Sequence, residues 1–208
     1  MGNKAMSKTQ TTSKSSQRQA SQSRKRQQRK SSIIIWGGVL FAIVAILGFL
    51  LWRAFRPATG EAVSIPADYE THIQEGTPPG QYPSDPPAGG VHYANDFPAQ
   101  FYQETDVESL PEYPEGYLVH NLEHGYVIFW YNCAMLDEAG CTQLKDDIQQ
   151  VMDEFDGFKV IAFPWKSLNV PLVMTSWGRL QRFENFNLSQ ARAFIKANRN
   201  RAPEPNAP

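Results

Sequence analysis

Gly116-Tyr-Leu-Val-His120-Asn-Leu-Glu123-His124-Gly-Tyr-Val-Ile-Phe-Trp-Tyr131 is the stretch on which the reading of this chain turns. Two of the chain's four histidines stand in it four residues apart, with a carboxylate between them. The run that follows is rich in β-branched and aromatic residues, and it reads as a buried strand over about 125–131. Tyr117-Leu-Val before the motif is also β-prone, and Gly125 would stop a helix at once. His120, Glu123 and His124 are therefore expected at a loop–strand junction, where a rigid element can hold them.

Downstream of this strand a turn carries Cys133 and Cys141. Leu144, Ile148, Val151, Met152 and Phe155 recur at helical spacing, which predicts an amphipathic helix over 142–155 with Thr142 as its N-cap. Residues 158–164 and 170–177 read as strands, and 180–183 as a continuation or a third one. Asn187 caps a second helix over 187–197, and residues 198–208 read as a frayed tail. The order strand, helix, strand, strand, helix describes an α+β or α/β layer domain. A thioredoxin-like half has this β-α-β-β-α order, with Pro171 at a strand start, and a ferredoxin-like sandwich is the alternative.

Upstream, residues 67–99 are dense in Pro and Gly, which excludes helix. They are either a disordered linker or an ordered loop wrapped over the domain. Tyr82, Tyr93, Phe97 and their aromatic neighbours favour the loop. One helical turn is expected at 98–102, and 108–115 reads as an acidic, Pro-punctuated loop. Residues 33–52 carry no charge. Twenty residues at about 1.5 Å each reach about 30 Å, the thickness of a bilayer's hydrocarbon core. Residues 1–32 hold nine Lys/Arg and no acid, while the remaining 11 Lys/Arg face all 21 Asp/Glu. The positive-inside rule then orients a single-pass anchor, with a disordered basic tail (1–32) in the cytoplasm, a transmembrane helix (33–52) and a spacer (53–66). The domain proper, 67–205, would lie outside the cell membrane, with 206–208 as a tail. The basic run is explained by this topology and by anionic headgroups, so nucleic acid is not expected as a partner. The lipid bilayer, a metal ion and another membrane protein are.

Pro86-Pro-Ala-Gly-Gly-Val-His92, Leu118-Val-His-Asn-Leu-Glu-His-Gly125, Leu172-Val-Met-Thr-Ser-Trp-Gly-Arg179 and Arg201-Ala-Pro-Glu204 resemble the bacterial domain of unknown function 3105 over about residues 66–205. Gly89 stands where that family's Pro-Pro-x-Ser-Gly-x-His motif has Ser. The resemblance implies a frequently membrane-anchored extracytoplasmic domain, and it brings no activity with it.

His120-x-x-Glu123-His124 also fits the inverted zinc-protease pattern, but that chemistry needs a helix, which these flanks do not suggest. A metal site without proteolysis is the stronger expectation. His92, His120 and His124 would be the ligands, Glu123 would orient a ring from behind, and Met135 or Met174 could add a fourth donor. Such a set suits zinc or copper. Against it stands a set of hydrogen-bonded structural histidines that clamp loop to strand, with His72 at the surface. Cys133 and Cys141 are expected as a structural disulfide, since the Cys-x-x-Cys spacing of redox proteins is missing. The leading function is thus a non-enzymatic metal-binding or accessory domain. A thiol-disulfide oxidoreductase of altered motif and a pure interaction module are the alternatives.

Overall fold

The computed structural model describes residues 36–49, 58–66 and 72–207. The basic tail, both ends of the expected span, most of the first half of the spacer and residues 67–71 lie outside the described residues. The chain divides into two units, residues 1–56 and 57–208. In the first, residues 36–49 form a helix, α1, and its large side chains from Trp36 to Phe49 are exposed. Among the described residues no helix is long and apolar enough to cross a membrane.

The second unit is mixed α+β, built on a five-stranded sheet. Its strands are β1 (Glu61–Ala62), β2 (Val127–Tyr131), β3 (Val160–Pro164), β4 (Leu172–Ser176) and β5 (Arg179–Phe183), in the order β1-β5-β4-β2-β3. β2 pairs with β3 in parallel, Val127 opposite Val160, and with β4 antiparallel, Trp130 opposite Val173. A parallel pair requires a crossover, and helix α4 (Glu138–Glu154) supplies it. Every residue of β2 is buried. A central strand covered on both faces reads as a continuous apolar run, as this one does.

Alternate side chains of each strand feed two separate cores. Val127, Phe129, Tyr131, Leu172 and Met174 pack beneath α4 and helix α5 (Leu188–Asn198), against Leu144, Ile148, Val151, Phe194 and Ile195. Ile128, Trp130, Ile161, Phe163 and Val173 point the other way, toward Tyr93, Phe97, Tyr117, Leu118 and Leu122. Asn187 caps α5 as expected, accepting from the Gln190 N–H at 3.0 Å. α4 starts four residues earlier than its hydrophobic spacing suggests. Asp137 is the cap, accepting from the Gly140 N–H at 2.8 Å, and Thr142 instead donates back to the Glu138 carbonyl. Its first turn, Glu138-Ala-Gly-Cys141, carries no large apolar side chain, so no apolar period announces it. Cys141 therefore sits inside α4, and its disulfide to Cys133 ties the short 3-10 turn Cys133–Met135 to the helix across a Cα–Cα distance of 5.1 Å.

The second cover departs most from expectation. The helical turn expected at 98–102 does not form: the chain bends at 99–100 and Phe101 bridges Ala162. Tyr102 N–H donates to the Ala162 carbonyl and Ala162 N–H to the Gln100 carbonyl, which protects the edge of β3. The helical turn, α2, follows at Glu104–Val107. The motif stretch itself is a ten-residue helix, α3 (Pro114–Glu123), rather than a loop–strand junction. Pro114 occupies its first turn, where a missing N–H is harmless. Residues 116–123 are all buried, so this part of α3 has no solvent-exposed face and shows no helical period. Gly116 lets the helix lie against the Tyr93 ring, which any Cβ there would overlap. Gly125 ends α3 at φ 85, donating to the Leu122 carbonyl, and a Cβ on it would come within 2.7 Å of Asn200 Cα.

From residue 72 onward the Pro/Gly-rich segment is the wrapped loop of the two readings. Tyr93 is fully buried, its hydroxyl donating to the Thr77 carbonyl at 2.8 Å and its N–H to Gly116 of α3. The end of the chain is also held. Lys159 Nζ donates to the carbonyls of His124, Pro205 and Ala207, so residues up to 207 are tied down where a frayed tail was expected.

Candidate metal centre

α3 delivers three of the motif's polar groups. Residues at i, i+3 and i+4 share one side of a helix, so His120, Glu123 and the C-cap residue His124 leave α3 on the same side. The wrapped loop brings two more histidines. Residues 72 and 92 form a parallel β-bridge, with the Ile73 N–H donating to the His92 carbonyl at 2.9 Å, and the two imidazoles lie 4.8 Å apart between centroids. The His120 ring is 5.2 Å from His72 and 5.3 Å from His92. One ring nitrogen of each of these three histidines and one Glu123 oxygen all fall within 4.8 Å of one another.

The orientation of the rings is fixed from behind. His92 Nδ1 is 2.8 Å from the Gly90 carbonyl, and His120 Nδ1 is 2.6 Å from the Tyr93 carbonyl. A carbonyl only accepts, so in each ring the Nδ1–H is committed to donation and Nε2 holds a lone pair. His92 Nε2 then faces Glu123 Oε2 at 2.8 Å. Two acceptors at that distance need a proton or a cation between them. His72 Nε2 is 3.7 Å from the same oxygen. Ligands about 2.0–2.2 Å from one ion stand roughly 3–4 Å apart; the 3.7 Å separation has that spacing, while the 2.8 Å one is a hydrogen-bond distance that an ion would have to open. His92 is fully buried and Glu123 is 3% exposed, whereas the His72 side chain is 43% exposed and opens the cluster to solvent. Burial pushes the His120 imidazole below its usual range, helped by the neighbouring His92 and His72, and opposed by the Tyr93 carbonyl. The ring is thereby kept in the neutral form that metals bind.

His124 is one step outside this cluster. Its ring is 4.3 Å from that of His120, but it groups with Glu123 and Glu204. Burial and the His120 ring lower its pKa too. So the structure brings His92 and His120 together and sets His124 apart. Glu123, expected behind a ring, stands among the donor atoms. His72 is exposed, as expected, yet it also belongs to the cluster, and that membership is what sequence reasoning missed; it lies in no motif, and only the scarcity of histidine pointed to it. Met174 is buried on the opposite face of the sheet with α4 and α5, and Met135 lies in the 3-10 turn after β2, at the other end of that strand from His120 and Glu123. The helix that the protease pattern requires is present after all. Glu123, however, is engaged with His92 rather than left to activate a water.

Residues 72–208 match the family model described as "Protein of unknown function (DUF3105)". No curated protein matches the chain, and no solved structure does.

Proposed function

The chain belongs to this family of proteins of unknown function, and we propose that it is a membrane-anchored, non-enzymatic domain that binds one transition-metal ion through His72, His92, His120 and Glu123. The observation that carries the reading is the gathering of one ring nitrogen from each of His72, His92 and His120 with a Glu123 oxygen within 4.8 Å, beside two backbone carbonyls that fix the His92 and His120 rings through Nδ1. Such outer partners are the usual support of a metal-bound imidazole. Three nitrogens and one oxygen suit zinc or Cu(II), and without a nearby thioether the set is a poor match for Cu(I). Elemental analysis of the full chain purified in detergent should find zinc or copper, and His92→Ala should lose the ion of this site, whatever is bound elsewhere. A metal-free wild type, or a content unchanged in His92→Ala, would overturn it. The proton-bridged His92–Glu123 clamp would then be the better description.

The membrane part rests on the uncharged stretch 33–52 and the nine basic residues before it. A reporter fused after Pro208 should be active only outside the cytoplasm, and cytoplasmic activity rules this orientation out. The thioredoxin-like half is supported by β2 and β3 being direct neighbours, since a ferredoxin-like sandwich splits that pair. That arrangement, with Cys141 in the first turn of α4, is what favours the second reading, a thiol-disulfide oxidoreductase. Disulfide-reducing activity abolished by Cys141→Ser would establish it, and its absence would remove it.

A further inference from the structure

We propose that the domain holds a second cation between Glu123, His124 and Glu204, beside the first and sharing the Glu123 carboxylate with it. The inference rests on the metal reading of the first cluster. One ligand atom from each of the three residues lies within 4.8 Å of the others, and His124 Nε2 is 3.6 Å from Glu204 Oε2. That spacing is what two ligands of one ion leave between them, roughly 3–4 Å. Glu123 is common to both clusters. A carboxylate has two oxygens and can serve two ions at once, which places such ions about 3.5–4 Å apart.

Two further observations fit this arrangement. His124 Nδ1 is buried and has no hydrogen-bond partner, an arrangement proteins seldom leave unfilled. The nearest carboxylate oxygen on that side is Asp96 Oδ2, at 3.8 Å. With Nε2 on a cation, Nδ1 carries the proton, and closing on Asp96 by about 1 Å would give it the carboxylate partner typical of metal-bound histidines. The second observation is how the exposed Glu204 is held in place. Its own N–H donates to the Glu123 carbonyl at 3.0 Å, and Lys159 fastens the residues just beyond it.

The test counts ions. The full chain in detergent is stripped with a chelator, dialysed against Zn²⁺ and analysed for bound zinc per chain. Two equivalents are expected for the wild type and one for Glu204→Gln and His124→Gln. Glu204 is 58% exposed at its side chain, so its variant carries little folding risk. A wild type with one equivalent, unchanged in both variants, overturns the second ion and leaves the first standing. A wild type with none overturns both.

Discussion

On one face of the sheet, α4 and α5 lay Leu144, Ile148, Val151, Phe194 and Ile195 over β2 and β4. On the other, the cover is the wrapped loop and the short helix α3, and there the buried polar groups His92, His120, Asn121 and Glu123 collect. The contrast has a physical origin. A long helix satisfies its own backbone, so it offers a core only side chains. A Pro/Gly-rich loop has carbonyls to spare, and Gly90 and Tyr93 spend theirs on orienting imidazoles. The regular cover stabilises the domain, and the irregular one can be built into a site.

That division can be broken by paired substitutions. Phe194→Ala, on the helical face, removes a fully buried ring and should lower stability by about 3–5 kcal/mol. Its metal content per folded chain should stay at the wild-type level. Asn121→Ala strikes the other face. Its amide accepts from the Phe97 N–H at 3.1 Å and donates to the Phe97 carbonyl at 2.9 Å, so truncation leaves two buried backbone groups unpaired. A loss of about 2–4 kcal/mol should follow, accompanied by metal affinity weaker by about tenfold as the loop loosens. Urea unfolding and metal titration of both variants read the four quantities. Equal metal affinities would erase the distinction between the faces.

The smallest expected effect is that of pH on the metal-free chain. His120 and His124 both have folded pKa values pushed below the ordinary imidazole value of about 6.5. Below that value the unfolded chain binds more protons than the folded one, so stability is complete above about pH 6.5 and falls as pH drops beneath it. The urea midpoint should decline between about pH 6.5 and 5.5 and decline less in His120→Gln. A flat wild-type profile over that window would show that the irregular face is indifferent to the charge of its histidines.

The same contrast explains what could be read in the sequence. α4 and α5 were legible because each keeps a solvent face, so Leu144, Ile148, Val151 and Met152 recur with the helical period. β2 was legible as an apolar run. α3 was not: with residues 116–123 all buried, burial erased the period, and Tyr117-Leu-Val looked like strand. His120 and Glu123 were identified by their motif, but their helical spacing was misjudged with the element that holds them. His72 was invisible because its place comes from a single bridge to residue 92, a pairing between distant segments that local pattern does not encode.

Gly116 sets a tolerance for the whole assembly. The Tyr93 ring lies in the space where a side chain on Gly116 would stand, and the Tyr93 carbonyl aims the His120 imidazole. A single added methyl at 116 would favour the helix in isolation by about 1 kcal/mol. It would also wedge Tyr93 outward and carry its carbonyl off axis. The alignment of the histidines is in this sense gauged by a missing carbon atom, and a substitution that improves the local material would spoil the instrument.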